Sequence, residues 1–371
     1  MMSARFLTVV LERVFNMRDG FGREIDYMRI SVIDSCNLNC YYCNPCDNNE
    51  HCHALNILSV KEVLCIVRAA TRLGIKHFRL TGGEPLLHPQ LDEMVLQIKK
   101  IPGVSSVSLT TNAVLLVQHA KWLKEAGIDS INVSLDTIDA SEYERITKKP
   151  LLEEVKHGIN AAIECGIRVK INVVLTPQTD VVALTRYVAK KGTDIRFIEM
   201  MPVGEGHTNG VEPYKKVIGT LSKLYGEPCR INTEKTKEIN SGNDKRKIPD
   251  NGPAEYYIFP ELGIRVGLIQ AIHGKFCDTC NRIRVTADGR LMPCLGSSVT
   301  MDLVPDSWDF ADDVEKDFAI VRALRAAIKA KPRCHNFNDN AVTYTKTTET
   351  KTTEIEAAEV NAARNMSRIG G

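Results

Sequence analysis

The stretch YMRISVIDSCNLNCYYC, residues 27–43, joins an apolar run to a loop that carries three cysteines. The run at 27–34 reads as a buried β-strand, because isoleucine, valine and tyrosine favour strands. Loops that follow strands are where parallel α/β folds place their active sites. The stretch therefore predicts a strand that presents thiols to a functional site.

Five more strands are predicted, each beginning directly after a glycine that ends an amphipathic helical pattern. Glycine is favoured at helix C-termini because it adopts the left-handed conformation at little cost. The predicted strands are 75–81, 104–111, 128–136, 167–175 and 193–200. Six strands alternating with helices indicate parallel βαβ units, and their apolar character predicts burial on both faces. The pattern alone leaves open a doubly wound open sheet and a complete or partial barrel.

Local signals also mark helix starts and strand ends. Ser59 with Glu62 and Ser141 with Glu144 fit the capping box that begins a helix. Polar residues gather where the predicted strands end, which predicts an active site at that edge in either architecture. These residues are Thr110, Thr111, Asn112, Ser134, Asp136 and Glu199.

The composition narrows the class of protein. The chain has 371 residues, 43% of them hydrophobic, and a formal net charge of +2. So balanced a charge argues against a general nucleic-acid or acidic-membrane binder, and it means that an anionic ligand needs locally placed arginines. The first residues lack the pattern of a signal peptide or a membrane span, so we expect a cytoplasmic protein. Its twelve cysteines then indicate metal or redox chemistry more than disulfides.

The first cysteine site is defined as Cys36, Cys40 and Cys43, with the spacing C-x3-C-x2-C. Iron–sulfur clusters are held by thiolates at short spacings of this kind. Three thiolates on a four-iron cluster leave one iron open to another ligand. A zinc site more often uses paired C-x2-C elements that lie far apart, and a set of unliganded loop cysteines is the remaining alternative.

The second cysteine site is defined as Cys277, Cys280 and Cys294, with the spacing C-x2-C-x13-C. A zinc ribbon completed by Cys334 or His273 is compatible with this spacing. Arg282 and Arg284 follow its second cysteine, and guanidinium groups bind phosphates in a bidentate way. The spacing therefore indicates a metal site beside an anion site.

The first cysteine site resembles that of the radical S-adenosylmethionine superfamily, including the aromatic Tyr42 before the last cysteine. In that superfamily the open iron binds the amine and carboxylate of the methionyl group. The stretch LTGGEP (80–85) resembles the element that binds this group, and Glu84 is expected to pair with the ammonium. The resemblance implies that a deoxyadenosyl radical starts the reaction.

Within this superfamily the chain resembles the family of GTP 3′,8-cyclases, whose members are also called molybdenum cofactor biosynthesis protein A. The resemblance is carried by RISVIDSCNLNCYYC, RLTGGEPL, LTTNAVLL, INVSLDTID, VKINVV, RFIEMMPVG, FCDTCNRIRVTADGRLMPCL and the final MSRIGG. It implies an α/β fold that is an incomplete (β/α)6 TIM-type barrel. It also implies a C-terminal region that carries a second iron–sulfur cluster. We divide the chain accordingly into a barrel (1–235), a cluster and substrate region (236–335) and a flexible tail (336–371).

The resemblance implies that the enzyme converts GTP to 3′,8-cyclo-7,8-dihydro-GTP, a lyase reaction that starts molybdenum cofactor biosynthesis. It implies two [4Fe-4S] clusters held by the first and second cysteine sites, S-adenosylmethionine as a cofactor, and no catalytic side chain. The residues implied for S-adenosylmethionine are Tyr42, Gly83, Ser134 and Met201. Those implied for GTP are Arg29, Arg79, Thr110, Lys170, Arg282, Ile283 and Arg284. The terminal Gly370 and Gly371 are implied to reach the active site.

The expected partners are GTP, an electron donor such as flavodoxin or ferredoxin, and a downstream pterin-forming enzyme. No nucleic acid or membrane is expected, and the oligomeric state, a homodimer included, stays open. Ser35 and Asn39 stand where the family usually has arginines, which predicts a lower cluster potential or weaker docking of the donor. Cys46, His51, Cys52 and His53 have no assigned role.

Two other functions fit parts of the pattern. One is a different radical enzyme with an auxiliary cluster, such as a peptide-modifying enzyme, although such enzymes usually carry more cysteines near the C-terminus. The other is a zinc-binding or electron-carrying protein without catalytic activity. Two four-iron clusters require about eight irons per chain, so iron counting separates this last alternative.

Overall fold

The computed structural model describes residues 17–43, 56–203, 210–231, 252–297, 299–303, 313–335 and 337. The predictions for Cys46, His51, Cys52, His53, Gly370 and Gly371 fall outside these residues, as does the predicted flexible tail after 337. No helix in the described ranges is both long enough and apolar enough to cross a bilayer.

One sheet of twelve strands organises the described residues, in the order β12-β11-β10-β1-β2-β3-β4-β5-β6-β9-β8-β7. The six predicted strands are all present and run parallel as neighbours. They are β1 (Tyr27–Ser31), β2 (His77–Thr81), β3 (Ser106–Thr111), β4 (Ser130–Ser134), β5 (Val169–Leu175) and β6 (Asp194–Glu199). The βα units therefore form the parallel array of the partial barrel.

Strands from the C-terminal half extend both edges of this array. β9 pairs with β6 and β10 pairs with β1, both in parallel. The added strands are β7 (Cys229–Ile231), β8 (Glu255–Ile258), β9 (Arg265–Ile269), β10 (Arg282–Val285), β11 (Arg290–Met292) and β12 (Met301–Asp302). The division of the chain near residue 235 stays a prediction, and the sheet is continuous across it.

Helices connect the strands and cover the sheet. They are α1 (Val60–Arg72), α2 (Leu91–Lys99), α3 (Leu116–Glu125), α4 (Ala140–Thr147), α5 (Leu152–Glu164), α6 (Val181–Lys190), α7 (Gly219–Tyr225) and α8 (Asp313–Lys329). The five glycines predicted to end helices all have positive φ, between 64° and 91°. The capping box of Ser59 and Glu62 is confirmed. The one predicted at Ser141 is wrong, because Asp139 caps α4 by accepting from the backbone N–H of Glu142.

The expected burial of the strands on both faces is confirmed, since most residues of β1 to β6 are buried, but the two faces differ in character. On β1, Met28 and Ile30 belong to the hydrophobic core. The alternate residues Tyr27 and Arg29 line a cavity instead. Side chains alternate along a strand, so the same register that seats the core aims charged groups at the other face.

Candidate active site

A cavity of about 290 Å³ lies against the polar face of the parallel strands. All six cysteines of the first and second cysteine sites line it, although the two sites are separated by more than 230 residues of sequence. The parallel pairing of β10 with β1 explains how both sites reach one cavity. The second cysteine site precedes β10 and therefore lies near the beginning of β1, whereas the first cysteine site lies in the loop that follows β1, at the other end of the strand. Among the described residues no three His, Cys, Asp or Glu side chains are grouped to hold a single metal ion, so the thiols border a space rather than meet at a point.

The loop that carries the first cysteine site packs against the glycine pair of LTGGEP, Gly82 and Gly83. The backbone N–H of Gly83 donates to the carbonyl of Ile33 at 2.8 Å, and that of Glu84 donates to the carbonyl of Ser35 at 2.8 Å. A Cβ on Gly83 would lie 2.1 Å from the Ser35 oxygen. Glycine is therefore required here, because the two backbones lie closer than a side chain allows.

The thiols of the first cysteine site lie in a weakly solvated, acidic environment. Burial, and then the charge of Glu84, raise the pKa of the Cys36 thiol to about 11. Burial and the neighbouring Cys43 and Asp136 raise the pKa of Cys40 further. The Cys36 sulfur accepts from the Leu38 N–H at 3.5 Å and from the Asn112 amide at 3.8 Å. A bound metal would have to supply the driving force for deprotonation, as metals do for coordinating thiols.

Tyr42 links the first cysteine site to the end of β4. Its hydroxyl donates to Asp136, whose other carboxylate oxygen accepts from the Val174 N–H at 2.8 Å. Burial raises the pKa of Asp136 to about 6. The pair fixes the loop against the strand, and both residues line the cavity.

Glu84 has several hydrogen-bond partners within the protein. Its side chain is fully buried, and it accepts from the Thr111 hydroxyl at 2.7 Å, the Asn112 N–H at 2.7 Å and the Leu86 N–H at 3.0 Å. Burial raises its pKa to about 7. The carboxylate ties β3 to the glycine loop, and its pairing with a ligand ammonium stays a prediction.

The second cysteine site lies among cations. Its first two cysteines flank a short 3₁₀ turn at Cys277–Thr279. Although burial opposes the shift, the charges of Arg282 and Lys331 lower the pKa of the Cys280 thiol to about 6. Burial raises the pKa of the Cys277 thiol in the same site, so the nearby cations favour thiolate at Cys280 in particular.

Four arginines from three adjacent strands line the cavity next to the second cysteine site: Arg29, Arg79, Arg282 and Arg284. Burial, and then the charges of Arg284 and Arg79, lower the pKa of Arg29 well below its usual value. The Arg29 Nε is buried and has no hydrogen-bond partner among the described residues. Burial and the charge of Arg282 lower the pKa of Arg284 to about 10. An anion placed here would relieve the repulsion among these cations, so the group has the character of an anion site.

The other predicted site residues divide into two groups. Tyr42, Gly83, Thr110, Ser134 and Met201 line the cavity, and their contacts with S-adenosylmethionine or GTP stay predictions. Lys170 and Ile283 do not line it. Lys170 lies at the beginning of β5, buried, with its Nζ 6.0 Å from the centre of the Tyr256 ring. Ile283 is fully buried in the hydrophobic core.

Several cavity residues were missed by the sequence reasoning. They are Asn172, Arg196, Lys331, His335 and Phe337. Arg196 lies in the middle of an apolar strand, as Arg29 and Arg79 do, so an isolated charge within a buried strand was an available signal. The last three residues belong to a segment without strand or helix periodicity, and nothing in their spacing pointed to the cavity.

The donor sets suit iron–sulfur clusters. Each cysteine site offers three thiols and no carboxylate or imidazole ligand, and thiolates are the ligands that such clusters take. The glycine pair lets the backbone of LTGGEP lie directly against the loop that carries the first site. The Arg29 Nε, which is buried and has no hydrogen-bond partner among the described residues, belongs to the arginine-lined part of the same cavity, where an anionic ligand would supply the missing partner.

Sequence comparison divides the chain into two matched regions. Residues 30–183 match the Radical SAM superfamily, and residues 193–337 match Molybdenum Cofactor Synthesis C. A GTP 3′,8-cyclase of Clostridium perfringens is 35% identical over 324 residues, covering 86% of this chain and 95% of that protein. A GTP 3′,8-cyclase of Pelotomaculum thermopropionicum is 36% identical over 327 residues, with the same coverage of 86% and 95%.

Solved structures share the fold at much lower identity. The crystal structure of Streptococcus suis SuiB bound to S-adenosylmethionine aligns with 80% of this chain and 68% of its own. The TM-score is 0.52 and the sequence identity is 15%, so this likeness supports the architecture alone.

Proposed function

The chain belongs to the GTP 3′,8-cyclase family of radical S-adenosylmethionine enzymes, and from this premise we propose how its cavity converts GTP to 3′,8-cyclo-7,8-dihydro-GTP. This lyase reaction is the first step of molybdenum cofactor biosynthesis. The product is an isomer of the substrate, since the hydrogen lost from ribose C3′ is matched by one gained on the guanine. The enzyme uses two [4Fe-4S] clusters and S-adenosylmethionine.

One observation carries the proposal for the site: both cysteine sites and four arginines line one cavity. A radical generator and a triphosphate site must share a space if a radical formed on one ligand is to reach the other. The first cysteine site lies at the end of β1, and the arginines extend across β10, β1 and β2. Geometry of this kind supplies proximity, which is the main contribution a protein makes to such a reaction.

We assign the first cluster to Cys36, Cys40 and Cys43, and the second to Cys277, Cys280 and Cys294. When bound, the first cluster and S-adenosylmethionine supply the radical that takes hydrogen from ribose C3′. Tyr42, Gly83, Ser134 and Met201 line the cavity and are proposed to contact S-adenosylmethionine. The backbone around Gly83 and the Tyr42–Asp136 hydrogen bond hold this side of the cavity in place.

We assign the triphosphate to Arg29, Arg79, Arg282 and Arg284, with Thr110 beside them. Their crowding, seen in the lowered pKa of Arg29 and Arg284, favours a ligand with several negative charges. Lys170 and Ile283 also stay proposed GTP contacts, although neither lines the cavity. Arg284 is buried and the other three arginines are half-buried, so the proposed substrate site is shielded from much of the solvent.

The partners follow from the reaction. A one-electron donor such as flavodoxin or ferredoxin is proposed, because cleavage of S-adenosylmethionine consumes an electron. A downstream pterin-forming enzyme is proposed to consume the cyclised nucleotide. A cytoplasmic location is proposed because the six cavity cysteines are free thiols, which a reducing compartment preserves.

The decisive test is anaerobic incubation of the reconstituted enzyme with GTP, S-adenosylmethionine and a reductant. We expect both 5′-deoxyadenosine and a cyclised guanine nucleotide, together with about eight irons per chain. A matched incubation without GTP serves as the control for uncoupled cofactor cleavage. Deoxyadenosine without the cyclised product would contradict the substrate assignment, and zinc with little iron would contradict the whole proposal.

A further inference from the structure

Two buried cations hold the backbone around all three cysteines of the second cysteine site. The Arg23 guanidinium donates to the carbonyl of Cys277 at 2.6 Å. The Lys331 ammonium donates to the carbonyl of Pro293, next to Cys294, at 2.9 Å. It also donates to the carbonyl of Arg282, two residues after Cys280, at 2.8 Å. Arg23 or Lys331 therefore holds a backbone carbonyl at or near each of the three cysteines.

The two cations differ in charge balance. Arg23 is paired with Asp19 at 2.5 Å, and both side chains are almost fully buried. Its other donors hold the carbonyls of Pro332 and Arg333 at 2.6 and 2.9 Å. Arg23 does not line the cavity. It therefore acts as a neutral clamp between the N-terminal segment, the 3₁₀ turn and the segment after α8.

Lys331 brings a net charge to the same place. It is 2% exposed, it lines the cavity, and its hydrogen bonds to Arg282 and Pro293 both go to neutral carbonyls. No salt bridge to Lys331 occurs within the described residues. Two carbonyls cannot neutralise an ammonium ion, and a buried charge acts strongly because little water screens it.

We propose that Lys331 is a positioning residue of the second cysteine site that supplies uncompensated positive charge to the cluster bound there. This inference rests on the proposed assignment of a cluster to Cys277, Cys280 and Cys294. Net charge and hydrogen bonding around a cluster set its reduction potential, and positive charge favours the reduced, more anionic form. Lys331 should therefore keep the potential of the second cluster above the value that the thiolates alone would give.

The test uses a full-length background in which Cys36, Cys40 and Cys43 are alanine, so that only the second cluster is reconstituted. Lys331→Met removes the charge and keeps a long side chain, and Lys331→Arg keeps the charge. The double variant Asp19→Asn with Arg23→Met removes the buried pair without changing the net charge, and serves as the matched control. The measurements are iron and sulfide per chain and the midpoint potential from an anaerobic redox titration followed by electron paramagnetic resonance.

We expect Lys331→Met to shift the midpoint potential to more negative values and Lys331→Arg to restore most of the shift. The double variant Asp19→Asn with Arg23→Met should lower the thermal stability and leave the potential close to that of the background. An unchanged potential in Lys331→Met, or an equal shift in the double variant, would overturn the inference. If the Lys331→Met protein binds no cluster, cluster binding by Lys331→Arg would show that the positive charge is needed. If neither variant binds a cluster, Lys331 acts through its shape alone and the inference is overturned. If the background itself binds no iron–sulfur cluster, the proposed function fails instead.

Discussion

Replacing Gly83 by alanine tests whether the glycine pair holds the first cysteine site through close backbone contact. The new Cβ would lie 2.1 Å from the Ser35 oxygen, 2.4 Å from its carbonyl carbon and 2.6 Å from the Asp34 oxygen. All three atoms are backbone, so relief requires the two segments to separate. Separation would weaken the bonds from the N–H groups of Gly83 and Glu84, both 2.8 Å long.

The magnitude follows from these contacts. Overpacking costs about 1–3 kcal/mol, and each weakened hydrogen bond costs about 0.5–1.5 kcal/mol. The contributions overlap because one movement relieves the clash and lengthens the bonds. We therefore expect Gly83→Ala to reduce the free energy of unfolding of the metal-free protein by about 2–4 kcal/mol.

The assay is urea denaturation of the metal-free protein, followed by S-adenosylmethionine binding to the reconstituted enzyme. Gly219→Ala is the matched control, because this glycine begins α7 and no described atom lies within 4 Å of the place that a Cβ would take there. Alanine is favoured over glycine in a helix by about 1 kcal/mol, so this variant should be neutral or slightly more stable. A Gly83→Ala protein as stable as the parent would refute the close packing described here.

Four further outcomes are expected. Cys36→Ala should abolish deoxyadenosine formation, and a fully active variant alongside an inactive Cys46→Ala would reassign the ligands. Arg284→Ala should weaken GTP binding by about 1.5–3 kcal/mol, as expected for a charge-assisted hydrogen bond, and an unchanged dissociation constant would remove this arginine from the substrate site. Burial raises the pKa of Asp136 from 3.8 to about 6. Between these two pH values the folded protein binds more protons than the unfolded protein. Its free energy of unfolding should therefore fall by about 3 kcal/mol as the pH rises from 3.8 to about 6. Asp136→Asn should lose that dependence in urea denaturation followed between pH 4 and 6, whereas a slope equal to the parent's would point to another group. Deleting Gly370 and Gly371 should stop cyclisation and leave both clusters intact. A free peptide with the same C-terminal residues should partly restore cyclisation, because the tether supplies only effective concentration. Cyclisation at the parent rate by the truncated enzyme would show that the two glycines have no role in the reaction.

The parallel strands could be predicted because each βα unit carries its own local signals. Helix-ending glycines and short apolar runs located β1 to β6 to within a few residues. The two outer parallel strands, β9 and β10, could not be placed in this way. Their partners are β6 and β1, and β10 lies about 250 residues after β1 in the sequence. Long-range pairing depends on the packed core, which no local pattern encodes, and only the family resemblance favoured the partial barrel.

The site shows the same division. Cysteine spacing predicted both cysteine sites, and the structure places all six cysteines at one cavity. The partners of Glu84 could not be predicted, because they are the backbone N–H groups of Leu86 and Asn112 and a threonine hydroxyl, which a sequence does not display. Lys331 was missed because its role depends on two carbonyls contributed by other segments. Residues that act through the backbone are therefore the ones that sequence reasoning finds least.

The two cysteine sites have different electrostatic environments, so the two ends of the cavity differ in charge. Near the first site, Glu84 and Asp136 are buried acids that raise the thiol pKa of Cys36 and Cys40. Near the second site, Arg282 and Lys331 lower the thiol pKa of Cys280. S-adenosylmethionine carries a sulfonium and an ammonium, whereas GTP carries a triphosphate. If S-adenosylmethionine binds at the first site and GTP among the arginines, as we propose, the contrast between the two ends of the cavity would favour each ligand at its own end. This preference would need no global field, which agrees with the small net charge of +2 on the whole chain.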